Sequence, residues 1–259
     1  MSKLKLVTFN IRNVLYEDGE NSFMHRIGMI YDKISKETPD IVAFQEVWYP
    51  HLIMLRRLLP DYDFYGQRRN ADFRGEGLYV AVKKEVLALL AYETFWISPT
   101  PYVPGSRYPI QSDCPRICNV LKLRHGESGK IFRVLNLHLD HISDSARIEG
   151  IKCVIDMLRG YNLKHEVPAF IMGDFNSYPE SETMRYCGTL QEPSLSDLTA
   201  NIPVTSHGFG REAVKIDYIL GTKGTEKALL DVGIWDDVQN GIYLSDHYPV
   251  FAELDTDKF

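Results

Sequence analysis

Six times along this chain an apolar run stops on a carboxylate, an amide or an imidazole. The endings are Thr8-Phe9-Asn10, Ala43-Phe44-Gln45-Glu46, Leu135-Asn136-Leu137-His138-Leu139-Asp140, Ile171-Met172-Gly173-Asp174-Phe175-Asn176, Lys215-Ile216-Asp217 and Ser245-Asp246-His247. Short apolar runs of this kind are buried strands. A charge beside one is costly unless it is paired or bound to a metal. A strand end also holds a side chain more firmly than a loop tip does. Taken singly, an Asn or Asp can simply close a strand in a turn. Six such endings together argue for one shared cleft where the strands surface.

The rest of the chain supplies the frame. Apolar positions Phe23, Ile27, Ile30 and Ile34 recur at helical spacing over 21–36, and residues 50–59 form a second helix that ends at Pro60. Strands are expected at 4–9, 41–44, 77–83, 169–172, 215–220, 229–234 and 250–254. A strand pair is read over 87–96, and a hairpin joins 119–124 to 131–138. Residues 143–158 are helical, with Ile148, Ile151, Ile155 and Leu158 on one face. Two strand-rich halves with flanking helices give an α/β fold, a two-sheet sandwich covered by helices on both outer faces. No internal repeat or polar linker divides the chain, so residues 1–259 are read as a single domain.

Composition removes several classes. With 259 residues, 44% hydrophobic and 25% charged, the chain is neither disordered nor fibrous. The formal net charge of -6 argues against a protein that coats nucleic acid, although it says nothing of a single phosphate held in one cleft. Cys114, Cys118, Cys153 and Cys187 do not fall at zinc spacing and are read as reduced thiols. No stretch is apolar enough to cross a bilayer, and the opening residues read as a strand rather than a secretory signal. The expectation is a cytoplasmic monomer with no membrane insertion.

The chemistry open to the cleft is narrow. Carboxylate and amide oxygens are hard ligands, suited to Mg²⁺, Mn²⁺ or Ca²⁺ rather than zinc. Two imidazoles without a neighbouring cysteine fit proton transfer. A glycine-rich cradle for a nucleoside triphosphate is missing, which disfavours phosphoryl transfer from ATP. Metal-assisted hydrolysis of a phosphoester remains.

In combination and in order, these endings resemble the endonuclease/exonuclease/phosphatase superfamily, above all Gly173-Asp174-Phe175-Asn176 followed by Ser245-Asp246-His247. The segments 99–116 and 139–147 are similar to a bacterial, uncharacterised subgroup near the deadenylase-like branch. The resemblance implies a four-layer α/β/β/α sandwich of two mixed, mainly antiparallel sheets. It implies Mg²⁺, with Mn²⁺ as substitute, held by Glu46 with Asn10 and Asp246. It implies that Asp174 orients or deprotonates the attacking water and that Asn176 donates to a phosphoryl oxygen. His247 would lie over the scissile phosphate with Asp217 favouring its charged form. His138 would act as general acid or second phosphate donor, partnered by Glu76, and Asn10 and Arg116 would contact phosphate. Asp140, His141, Arg147 and His207 receive no role.

The function expected first is a Mg²⁺-dependent phosphodiesterase or nuclease, including a 3′-to-5′ exonuclease acting on RNA. The alternative is a phosphatase or phosphodiesterase acting on a small phosphorylated metabolite or a phospholipid head group. Two features discriminate. An aromatic face beside the cleft, drawn from Trp48, Phe73, Tyr102 and Tyr108, favours stacked bases. A pocket closed by residues 99–115 favours a compact substrate.

Overall fold

The first strand explains why its sequence has no clean polar face. In β1 (Lys3–Asn10), Leu4 and Leu6 enter a core between two sheets, while Val7 and Phe9 point the other way onto helices. A strand covered on both faces reads as a continuous apolar run. The computed structural model describes residues 2–259, and the same division recurs along its central strands.

In chain order, β1 is followed by α1 (Phe23–Glu37), β2 (Ile41–Val47), α2 (Tyr49–Leu58), β3 (Tyr62–Arg68), β4 (Gly77–Lys83) and β5 (Leu87–Trp96). Then come β6 (Ile117–His125), β7 (Ile131–His138), α3 (Asp144–Lys164), β8 (Ala169–Asp174), α4 (Glu182–Thr189) and β9 (Leu195–Asp197). The chain closes with β10 (Asp217–Thr222), β11 (Leu229–Ile234), a short hairpin of β12 (Val238–Gln239) and β13 (Ile242–Tyr243), and β14 (Val250–Asp255).

Two six-stranded sheets result, in the orders β11-β14-β1-β2-β4-β3 and β5-β6-β7-β8-β10-β9. Each has one parallel pair, β1 with β2 and β7 with β8, and antiparallel pairs elsewhere. A parallel pair needs a crossover, and α1 and α3 provide them. The apolar stripe of α1 packs with α2 on the outer face of the first sheet, against Val7, Val42 and Phe44. The stripe of α3 packs with α4 on the outer face of the second, against Leu135, Leu137 and Ile171. Between the sheets lie Leu6, Ile41, Val80, Val134, Phe170 and Met172. This is the four-layer sandwich expected from the sequence.

Some elements differ from the reading. Residues 87–96 form one long strand, irregular between Leu89 and Ala91, rather than a pair. β3 and β9 were not foreseen; both are sheet edges with partly exposed side chains, which blurs the apolar pattern. α4 was also unforeseen, being only 8 residues long. The four cysteines are free thiols. Among the described residues, no helix is long and apolar enough to cross a membrane.

Candidate active site

Register brings the polar strand ends to one level. His138 on β7 and Asp217 on β10 both lie opposite Asp174 on β8. All three share the parity of Asn136, Met172 and Ile219, so they point between the sheets. Asn10 continues the inward parity of Leu4 and Leu6. Gly173 makes the close strand approach possible. Its φ is +145°, and a Cβ there would lie 1.9 Å from the Leu137 carbonyl oxygen.

Glu46 arrives by another device. Alternation along β2 sends Val42 and Phe44 outward, and would send Glu46 with them. The pairing with β4 shifts between Phe44 and Val47, and Glu46 takes the left-handed φ of +60°. The bulge re-aims its carboxylate into the cleft. Arg12 and Asn176 also hold left-handed φ, +64° and +47°, so strained backbone gathers around the site.

The carboxylates are separated by amides. Asn10 Nδ2 donates to Glu46 Oε1 at 3.1 Å and to Asp174 Oδ2 at 3.0 Å. Asn13 donates its backbone N–H to Glu46 Oε2 at 2.7 Å and its Nδ2 to Glu76 Oε1 at 2.6 Å. Burial and the charges of Glu76 and Asp246 push the Glu46 carboxyl up to about 7. Asp174 is also raised, by burial and by Asp217.

The two imidazoles are in opposite states. His247 Nδ1 bonds Asp217 Oδ2 at 2.9 Å. Burial alone would neutralise it, but Asp217 together with Asp246 and Asp174 outweighs burial and holds it charged, well above its usual value. His138 is pushed well below its usual value by burial and by Arg116 and Arg69. Its 3.5 Å approach to Asp174 is therefore no charged pair.

Other expected contacts are rearranged. Glu76 is not bonded to His138; it is taken by Arg69 at 2.6 Å and by Asn13. Asn176 uses its amide on the Leu139 carbonyl at 3.1 Å, and its backbone N–H on Asp174 Oδ1 at 2.8 Å. Asp246 Oδ2 accepts from Arg12 at 2.9 Å, a partner the sequence reading missed because Arg12 sits in an irregular loop. Arg116 is buried and reaches His141 Nδ1 at 2.9 Å. His207 is packed against Tyr248 at 4.1 Å between ring centres. Its backbone N–H donates to the Asp246 carbonyl at 2.9 Å, so the segment steadies the Asp246–His247 turn.

A cation suits two groups here. Asp174, Asp217 and His247 bring ligand atoms within 4.8 Å of one another and could hold a metal ion. In the metal-free protein Asp217 and the neighbouring carboxylates hold His247 protonated, so a cation there would displace that proton. Glu46, Asn10 and Asp246 offer hard oxygens, and the burial and neighbouring carboxylates that raise Glu46 are what a divalent cation offsets.

One flank of the cleft is walled. Trp96 Nε1 donates to the Arg69 carbonyl at 2.6 Å, and a Cβ at Gly105 would press within 2.6 Å of Ala71 Cβ. The far end of the 97–116 segment is tied to Asp140, which accepts the Ser112 hydroxyl and its N–H. The four aromatic candidates form no platform. Phe73 stands edge-on to Trp96 at 6.0 Å, Tyr108 donates to the Glu149 carbonyl, Tyr102 donates to Glu93, and Trp48 is half-buried.

Comparisons with known proteins agree with this geometry. A structure of an endonuclease/exonuclease/phosphatase from Bacteroides vulgatus is similar at a TM-score of 0.90 and 29% identity, covering 98% of this chain and 99% of that one. The mannosyl-6-phosphatase Bt3783 of Bacteroides thetaiotaomicron is similar at 0.86 and 24%, covering 97% and 99%. The human Nocturnin catalytic domain with bound sulfate anion is similar at 0.75 and 19%, covering 98% and 94%. A search of the curated proteins found no match. The model of the Endonuclease/Exonuclease/phosphatase family matches residues 7–247. The chain belongs to that family, and is a metal-dependent hydrolase acting on phosphoester bonds.

Proposed function

We propose that the protein is a Mg²⁺-dependent hydrolase of a small phosphorylated molecule. The observation that carries this reading is the set of ties that fix Trp96, Gly105 and Ser112 against Arg69, Ala71 and Asp140 beside the cleft. A cleft narrowed on one flank can enclose most of the surface of a compact ester. The dispersal of the four aromatic side chains and the net charge of -6 support the same choice over nucleic acid. So does the fold of Bt3783, a mannosyl-6-phosphatase.

The residues divide the work. Glu46, Asn10 and Asp246 would hold Mg²⁺, which when bound would supply positive charge to the phosphoryl oxygens. Asp174 orients the attacking water and takes its proton, a task its raised carboxyl suits near neutral pH. The charged His247, fixed by Asp217, faces the phosphate and stabilises the charge that grows there. His138, neutral and beside Asp174, serves as a second hydrogen-bond donor to a phosphoryl oxygen through its ring N–H.

The test is hydrolysis by purified protein with Mg²⁺, Mn²⁺ or EDTA. The substrates are sugar phosphates, other small phosphoesters, single-stranded RNA and DNA. Metal-dependent release of phosphate from small esters is expected, together with intact nucleic acid. Shortening of RNA or DNA without turnover of any small ester would overturn the reading.

A further inference from the structure

Three buried arginines are spent very differently. Arg26 gives its nitrogens to the carbonyls of Asn21, Ile11 and Leu244 at 2.6–3.0 Å. Arg133 reaches Asn162 Oδ1 and the carbonyls of Tyr161 and His165. Arg116 donates to His141 Nδ1 alone, and its Nε and Nη1 are buried with no acceptor. No carboxylate pairs with it among the described residues. An unpaired buried guanidinium costs several kcal/mol, and the unmet donors add to that cost.

Arg116 lines a small space of about 10 Å³ together with Glu46, Arg69, Glu76 and His138. That is room for a single oxygen atom. Two of its walls, Glu46 and His138, also face the reaction site. Glu76 takes most of the charge of Arg69 through their 2.6 Å pair, which leaves Arg116 as the unspent cation. The backbone around it is fixed, since its carbonyl accepts from Ile97 at 2.7 Å.

A phosphomonoester differs from a diester by one terminal oxygen on the reacting phosphorus, and by the extra negative charge that oxygen carries. We propose that the space between Arg116 and Arg69 receives this third oxygen and so selects monoesters over diesters. The inference rests on the small-substrate reading above. It adds Arg69 to the site and gives His141 a positioning role, holding Arg116 by its outer nitrogen.

The experiment compares 4-nitrophenyl phosphate with methyl 4-nitrophenyl phosphate, which share a leaving group, in the wild type, Arg116→Met, Arg116→Lys and Arg69→Gln. In Arg116→Met, kcat/KM for the monoester should fall by on the order of 100-fold, the usual cost of one lost charged donor. The loss on the diester should be at least about ten-fold smaller, since its corresponding oxygen is uncharged and carries a methyl group too large for that space. Arg116→Lys should recover part of the discrimination, and Arg69→Gln should lose a smaller share of it. Stability separates a binding role from a structural one. Arg116→Met should melt no lower than the wild type, because it removes an unpaired charge, and inorganic phosphate should protect it less.

Equal losses on the two esters would overturn the inference and leave the small-substrate reading standing. A lower melting temperature with unchanged protection by phosphate would assign Arg116 a structural role with a trapped water, and would overturn it too. If neither ester is turned over while RNA or DNA is shortened, the small-substrate reading fails and this inference fails with it.

Discussion

Asp217→Asn tests the central pair most directly, because it changes charge while keeping shape. Asp217 and His247 are both buried, and their 2.9 Å bond leaves no room for water between them. At an effective dielectric of about 20, unit charges roughly 4 Å apart attract by about 4 kcal/mol. If the imidazolium stabilises the transition state, losing that support costs a factor of about 1,000 in kcat, with little change in KM. The stability effect has a sign that can be worked out. The folded state holds His247 well above its usual value, so the pair stabilises the protein fully below about pH 6.5. That contribution disappears as pH rises through the raised value. The variant should therefore melt clearly below the wild type at about pH 6, with the gap closing as pH rises through that raised value. Melting curves in EDTA and rates with Mg²⁺ on a small phosphomonoester read the two effects separately. A variant within ten-fold of wild-type kcat, or a melting difference that does not narrow at any alkaline pH the wild type tolerates, would refute the assignment of His247 as a held cation.

Three further outcomes are expected. In metal-free protein Glu46 sits at about 7, above its unfolded value, so stability is lost as pH rises from about 4.5 through 7. Glu46→Gln should remove that slope and melt higher than the wild type at pH 8 in EDTA, by on the order of 2 kcal/mol, while abolishing metal-dependent turnover. Mg²⁺ should stabilise the wild type and not this variant, as a calorimetric titration would read; equal stabilisation of both would remove Glu46 from the metal site. Gly173→Ala places a Cβ 1.9 Å from the Leu137 oxygen at a φ of +145°, and should cost more than about 4 kcal/mol or prevent folding, measured by urea denaturation. Asn13→Leu removes the donor that ties Glu76 to the Glu46 loop, and should lower turnover and divalent-ion affinity by about 10-fold with the fold retained; a change in melting alone would make Asn13 purely structural.

The strand ends were legible because burial on both sides of a sandwich leaves only the ends for polar groups. Asn10, His138, Asp174 and Asp217 could be read from that pattern, and the sheet register brings the last three together. Glu46 was legible as a residue type but not as a direction. Its aim depends on a bulge and a left-handed φ that no local glycine announces. Hydrogen-bond partners were less legible still. Glu76 was placed in the right cleft and given the wrong neighbour, because the choice among His138, Arg69 and Asn13 is made by loop packing. Arg12, Asn13 and Arg69 belong to irregular segments, where neither period nor apolar runs mark position.

Those missed residues explain how an acidic protein can hold a phosphate. Asp174, Glu46 and Glu76 stand in a row, and left to themselves these three carboxylates would repel a phosphate and one another. Asn10 is placed between the first two and Asn13 between the last two, each lending N–H donors to both sides. Arg69 faces Glu76 and Arg12 faces the neighbouring Asp246, so both of those acids are matched by cations. What remains unmatched is a raised Glu46, which favours a divalent ion, and an unpaired Arg116, which favours an anion. The total charge of -6 is thus a property of the surface. The preference for phosphate is set by which two charges in the cleft have been left without partners.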